Sequence, residues 1–207
     1  KNKNIKSKVI NVDDVLNSNY NKQIKNEYFN NKNNQQNLSY VFAICEKLKI
    51  KKKNTLKIIN NFRGLKFRQQ IIYNSKKLAI INDSKSTSFS STINLLNSLN
   101  NVFWILGGLP KEGDKFQFNK NKNLNLKAFI YGRHKKFFIK NLKSKILFKT
   151  FKNLKDAFQK VILEIKNKKN KTTILFSPCS ASFDTFSNFE ERGEYFNYLV
   201  KKYKIKI

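Results

Sequence analysis

Three short stretches gather residues able to handle anions, hydroxyls and amines. The first is Asn82-Asp83-Ser84-Lys85-Ser86-Thr87-Ser88. Backbone amides at a helix start, hydroxyls and one ammonium would there cradle a carboxylate or phosphate. Asp83 could accept from sugar hydroxyls or help hold Mg2+; a polar loop with Ser or Thr as the helix N-cap is the alternative. The second stretch is Gly107-Gly108-Leu109-Pro110-Lys111-Glu112-Gly113-Asp114. Its Gly108…Gly113 spacing imitates a P-loop, but Asp114-Lys115 stands where Lys-Ser/Thr is required, so a P-loop is excluded. The paired glycines either admit a ligand close to backbone, with Lys111 as a local cation, or form an ordinary turn. The third is Ser177-Pro178-Cys179-Ser180-Ala181-Ser182-Phe183-Asp184. A Ser or Cys nucleophile needs a base, and the single histidine, His134, sits in a Tyr131-Gly132-Arg133-His134 loop without an evident partner. Cys179 therefore reads as a small packing residue, and Ser187 with Glu190 as a capping box for the last helix. With two cysteines at unsuitable spacing and one histidine, neither a zinc site nor a multi-histidine metal centre is expected.

These stretches must be held by something, and the apolar pattern says what. Short apolar runs at 70–73, 78–81, 102–106, 128–131, 146–148 and 173–176 predict strands. Helical spacing at 89–99, 135–142, 154–165 and 189–203 predicts helices between them. The alternation predicts an α/β fold, a Rossmann-like, mainly parallel sheet with helices on both faces. Such sheets bind ligands beyond the carboxyl ends of their strands, which directs attention to the loops after Ile81, Leu106, Tyr131 and Phe176. Upstream, residues 1–33 are rich in Lys and Asn, with a short apolar piece at 9–15. An amphipathic helix follows at 36–50 with Leu38, Val41, Phe42, Cys45 and Leu48 on one face. A second is expected at 54–62 with Leu56, Ile59 and Phe62, ended by Gly64. The turn at 50–53 has no glycine, so a packed helical pair is preferred to a DNA-binding unit.

Composition bounds the function. The chain has 207 residues, 43 Lys+Arg against 13 Asp+Glu, and a formal charge of +30. That charge raises nucleic acid as a partner, yet only Arg63, Arg68, Arg133 and Arg192 are arginines, the residue best suited to bidentate phosphate and base contacts. The abundant Lys, Asn, Ile and Phe all have codons built from A and T and are spread along the chain. An A+T-biased genome accounts for them, and most of the charge is expected to be solvated surface. No apolar run approaches the length of a membrane-spanning helix, and two cysteines make no disulfide framework, so a reducing, cytoplasmic setting is expected. The chain holds no Met and opens on Lys1, so a fragment of a longer product is expected.

From Asn33 onward the motifs resemble, in order, the C-terminal part of the Mur ligase family, and within it the branch that adds D-glutamate. The resemblance is carried by Asn82-Asp83-Ser84-Lys85-Ser86-Thr87, by Gly107-Gly108 with Lys111, and above all by a final stretch. That stretch runs Ser177-Pro178, Ala181-Ser182-Phe183-Asp184, Phe186, Asn188-Phe189-Glu190 and Arg192-Gly193. Asn34-Gln35-Gln36-Asn37 is similar to the family's His-Asn-x-x-Asn helix start, with Asn33 in place of His. Gly64-Leu65-Lys66-Phe67-Arg68 is similar to its Gly-Leu-Pro-His-Arg junction, with Lys66-Phe67 in place of Pro-His.

The resemblance implies an ATP-dependent ligase of peptidoglycan precursor synthesis. It would use Mg2+ and ATP to make an acyl phosphate of UDP-N-acetylmuramoyl-L-alanine, which D-glutamate attacks through its amine. It implies that residues 1–64 are the end of the central ATP-binding domain and 65–207 the C-terminal amino-acid-binding domain of a monomeric enzyme. Thr87, Lys111, Ser182, Phe183 and Phe189 would hold D-glutamate; Asn34, Asn37, Arg68, Asp83 and Lys85 would face the nucleotide. The P-loop and most Mg2+ ligands would precede Lys1, leaving this fragment inactive alone. Two alternatives are a sister Mur ligase adding another amino acid, although the diamino-acid signature Asp-Asn-Pro-Arg is absent, and a basic α/β nucleic-acid-binding module.

Overall fold

The computed structural model describes residues 23–29, 32–62, 64–118, 125–166 and 168–203; the apolar piece expected at 9–15 lies outside them. The chain divides into two compact units, Lys1–Gly64 and Leu65–Ile207.

In the first unit a 3-10 turn, Glu27–Phe29, precedes helices α1 (Lys32–Lys47) and α2 (Lys52–Asn61). Leu38, Phe42 and Ile59 form its small core, with Ile24, Phe29 and Leu56 packed against it. Asn26 Nδ2 donates to the carbonyls of Ile59 at 2.8 Å and Phe62 at 2.6 Å, satisfying acceptors that the end of α2 leaves open. The expected apolar face of α1 is only half right. Leu38 and Phe42 are buried, while Val41 and Leu48 are exposed, because the buried stripe rotates toward Ser39 and Ala43. The second helix begins earlier than expected, and Phe62, not Gly64, is its C-cap.

The second unit is a six-stranded sheet in the order β1-β2-β6-β3-β4-β5. Its strands are β1 (Gln70–Asn74), β2 (Leu78–Asn82), β3 (Val102–Gly107), β4 (Leu126–Tyr131), β5 (Leu147–Phe151) and β6 (Thr172–Phe176). Only β1, at the edge, runs antiparallel to its neighbour; the other pairings are parallel. The helices are α3 (Phe89–Asn97), α4 (Lys135–Leu142), α5 (Leu154–Ile165) and α6 (Phe189–Lys202).

The central strands β2, β3, β4 and β6 are largely apolar because both their faces are covered, whereas the edge strands β1 and β5 are mostly exposed. Ile80, Phe103, Ile105, Phe129, Ile174 and Phe176 point to one face, under α5 and α6. Ile81, Trp104, Leu106, Ala128, Ile130 and Leu175 point to the other, under α3 and α4. Burying each large side chain contributes roughly 1.5–3 kcal/mol, so the sheet is a stiff platform for its loops. The last helix is capped one residue later than expected. Asn188 Oδ1 accepts from Glu191 N–H at 2.7 Å, while the Glu191 carboxylate accepts from Ser187 N–H. Glu190 and Glu191 in its first turn and Lys201 and Lys202 in its last complement the helix dipole. Among the described residues no helix is long and apolar enough to cross a membrane.

Candidate functional site

The three chemistry-bearing loops all leave the carboxyl ends of central strands β2, β3 and β6, and they are laced to one another. Leu109 and Ala181 exchange backbone hydrogen bonds of 3.0 and 2.9 Å, forming a small antiparallel bridge between the loops after β3 and β6. Ser180 Oγ donates to Gly107 O at 2.8 Å, and Ser180 N–H to Ser86 O at 3.3 Å. This closeness explains Gly108. Its φ is +130°, and a Cβ there would lie 2.4 Å from Ser180 Oγ and 2.6 Å from Ala181 O. Asp114 closes the remaining side, its Oδ2 accepting from Phe89 N–H at the first turn of α3.

Beneath the loops runs a buried hydroxyl network. Asp83 Oδ2 accepts from Ser177 Oγ at 2.7 Å and its Oδ1 from Gln69 N–H at 3.0 Å. Ser177 Oγ in turn meets Thr92 Oγ1, which meets Ser86 Oγ. Burial pushes the Asp83 carboxyl up to about 6, against the pull of Ser177, Gln69 and the Arg68 charge. The Cys179 thiol donates to Thr92 Oγ1 at 3.1 Å and is pushed well above the ordinary thiol range by burial. It is a packing residue, as its type suggested, and has no thiolate character to use.

Above the network sits Arg192, the fourth residue of α6 and only 1% exposed. Its guanidinium makes five donations: Nε to Ser84 Oγ, Nη1 to Ala181 O and Ser180 Oγ, and Nη2 to Ser84 O and Ser180 O. The Tyr131 hydroxyl and Asp184 Oδ2 are buried nearby, and both feel the Arg192 charge. Burial raises the Tyr131 hydroxyl to about 12, and burial likewise lifts the Asp184 carboxyl.

The expected D-glutamate residues are distributed over this surface. Thr87 and Lys111 are exposed, Ser182 is buried, Phe183 is 71% exposed and Phe189 is half-buried. Thr87 and Lys111 sit on loops joined through Asp114 and Phe89, and Ser182 follows Ala181 in the bridge to Leu109. Of the expected nucleotide residues, Lys85 lies 3.8 Å over the Phe189 ring, a cation–π contact, and Arg68 is exposed. Asp83 lies under the loop surface. It is 5% exposed, and each of its oxygens already accepts one hydrogen bond, from Gln69 and from Ser177. Asn34 and Asn37 belong to the first unit, where Asn34 Nδ2 donates to Tyr28 O at 2.7 Å and Asn37 is exposed. Among the described residues no group of three or more His, Cys, Asp or Glu could hold a metal.

Sequence reasoning missed Arg192 and Asp114 as parts of this site. A signal for Arg192 was available: in a chain that uses lysine almost everywhere, a retained arginine marks a place where the planar fork matters. Asp114 was noticed only as the residue that spoils a P-loop.

No protein-family model matches the chain. Among solved structures, it resembles UDP-N-acetylmuramate-alanine ligase MurC from Thermotoga maritima, with a TM-score of 0.58 and 18% identity over 84% of this chain and 38% of that one. MurF from Acinetobacter baumannii gives 0.58 and 16% over 83% and 37%. The fold is that of the Mur ligases. The sequence comparisons are more particular. The chain is 34% identical over 184 residues to UDP-N-acetylmuramoylalanine--D-glutamate ligase of Wolbachia sp. subsp. Brugia malayi, covering 89% of this chain and 37% of that protein. It is 35% identical over 178 residues to the protein of the same name from Rickettsia prowazekii, covering 82% and 38%. The chain is thus homologous to part of the Mur ligases and, within them, to the enzymes named for D-glutamate. It spans a little over a third of the length of these curated relatives.

Proposed function

We propose that this chain is the amino-acid-adding, C-terminal part of an ATP-dependent ligase that joins D-glutamate to UDP-N-acetylmuramoyl-L-alanine. The observation that supports the reading is the lacing of the three strand-end loops that bear Thr87, Lys111 and Ser182, in a chain whose sequence relatives are named for D-glutamate. D-glutamate is a dianion at its carboxylates. Lys111 supplies a cation for one of them, and the Thr87 and Ser182 hydroxyls fix its direction. Phe183 and Phe189 offer apolar surface that excludes water around the pair. Holding the amine in this way converts its attack on an activated carboxylate into an effectively unimolecular step.

ATP, with Mg2+ as its counterion, supplies that activation. Within this unit Arg68 and Lys85 are the nucleotide-facing residues, while Asp83 shapes the loop that carries Lys85. The enzyme works in the cytoplasm, as a monomer.

The test is phosphate release by the complete ligase carrying this chain, given UDP-N-acetylmuramoyl-L-alanine, ATP and one amino acid at a time. Turnover with D-glutamate and not with L-glutamate, L-alanine or a diamino acid is expected. Turnover with one of the others would place the chain among the sister ligases.

A further inference from the structure

The Arg192 side chain is a buried cation that, among the described residues, makes no salt bridge, the nearby Asp184 carboxylate acting on it only through its charge. Among the described residues the salt bridges are Lys66–Glu194, Lys127–Glu164 and Lys149–Glu164, and none involves Arg192. A guanidinium taken out of water this way is costly unless its donors are satisfied. Here they are satisfied entirely by neutral oxygens, and those oxygens belong to two different loops. Nε and Nη2 hold Ser84 on the β2 loop at 3.1 and 2.7 Å, and Nη1 and Nη2 hold Ala181 O and Ser180 O on the β6 loop at 3.1 and 2.9 Å. A lysine could not replace it, because one ammonium cannot reach both loops in a fixed plane. The helix that carries it is itself fixed. Asn82 Nδ2 donates to Gly193 O at 2.9 Å and to Asn197 Oδ1 at 2.9 Å, and Ser84 Oγ donates to Phe189 O at 2.8 Å.

We infer that Arg192 is a positioning residue that sets the distance between the two halves of the amino-acid site. The inference rests on the D-glutamate reading above. Thr87 lies three residues beyond Ser84, and Ser182 lies directly after Ala181, so the fork fixes the spacing across which one D-glutamate must reach. Of the nucleotide-facing residues of this unit, Arg68 stands before β1 and Lys85 follows Ser84 on the β2 loop, so neither has to span the two loops that the fork joins, whereas D-glutamate does. Loss of the fork therefore acts on D-glutamate more than on ATP. A residue that merely stabilised the fold would lower the active fraction and leave both KM values unchanged.

The experiment compares parent, Arg192→Lys and Ser84→Ala in the complete ligase, with KM for D-glutamate and for ATP measured separately. Arg192→Ala is assayed with and without added guanidinium chloride at millimolar concentration. D-glutamate-dependent turnover by the parent tests the functional reading independently of the variants. The expected result is a KM for D-glutamate raised at least tenfold in Arg192→Lys, with KM for ATP within threefold. Ser84→Ala, which loses one arm of the fork without emptying its place, shifts in the same direction by a smaller factor. Guanidinium lowers the KM of Arg192→Ala back toward the parent. Unchanged KM values in Arg192→Lys would overturn the inference. If that variant does not fold, equal effects on the two KM values in Ser84→Ala, or restored protein amount without restored KM in the rescue, would overturn it.

Discussion

Asp114 Oδ2 accepts the backbone N–H of Phe89 at 2.8 Å, tying the loop that carries Lys111 to the first turn of the helix that follows Thr87. The carboxylate satisfies an N–H that the start of α3 leaves open and places a negative charge at the positive end of its dipole. Ser88, the N-cap, accepts from Ser91 N–H on the same turn, so this helix start is held by two independent acceptors.

Asp114→Ala removes one of them. By analogy with lost helix caps, it should cost about 1 kcal/mol of stability. Because the tether joins two parts of the amino-acid site, it should also raise KM for D-glutamate several-fold in the complete ligase. Urea unfolding and steady-state kinetics on one preparation separate the two effects. A stability loss with an unchanged KM would show that the tether serves the fold alone.

Gly193 and Phe67 give a second prediction. A Cβ on Gly193 would lie 2.3 Å from Phe67 Cδ1, and Phe67 is itself buried with φ +61°. Gly193→Ala must displace a ring that has little room, at a cost of roughly 1–3 kcal/mol. Thermal unfolding should show a clear loss. At Gly113, where φ is +73° and nothing lies within 4 Å, Gly113→Ala should show only the smaller cost of backbone strain. Equal losses at the two sites would contradict the packing argument.

The buried Asp83 carboxyl sets a pH dependence. Its folded value of about 6 lies above the ordinary 3.8, so the folded state holds the proton more tightly than the unfolded chain. Its contribution is therefore fully present below about pH 4 and lost as pH rises through about 6. The difference between those values corresponds to about 3 kcal/mol. Unfolding free energies of the parent and Asp83→Asn, measured from pH 4 to 7.5, should converge or cross as the parent loses this contribution. A constant difference across the range would refute the raised value.

Cys179 and Cys45 should separate chemically. Cys179 is fully buried with its thiol donated to Thr92, whereas Cys45 is partly exposed on α1. Because the thiolate is the reactive form, a disulfide reagent should titrate Cys45 in the native protein and Cys179 only after denaturant is added. Two fast equivalents in the native protein would contradict the buried network.

The strands and helices of the second unit were legible because each carries its own period. Continuous apolar runs such as Val102–Gly107 suit strands buried on both faces, and Leu154–Ile165 repeats every three to four residues. The loops with chemistry were legible by type and by their place at strand ends. Their hydrogen bonds were not. Nothing local in Asp83 shows that Gln69, fourteen residues before it, and Ser177, ninety-four residues after it, will occupy both its oxygens. The same holds for Arg192, whose partners at Ser84 and Ala181 meet only when β2 and β6 pair. Lys111 is expected from the sequence to be a local cation that holds D-glutamate. It is exposed in this structure, so any desolvation must come with the bound substrate.

The most direct test of the account is KM for D-glutamate in the complete ligase with Lys111→Ala, set beside the same substitution at Lys115, an exposed neighbour on the same loop. Losing a cation that a bound carboxylate would pair with should raise that KM at least tenfold, equivalent to about 1.4 kcal/mol or more. KM for ATP should change little, and Lys115→Ala should match the parent. Lys111→Arg should recover only part of the loss, because its fork is larger and aimed differently. A KM for D-glutamate within twofold of the parent in Lys111→Ala would contradict the site and leave only the shared fold.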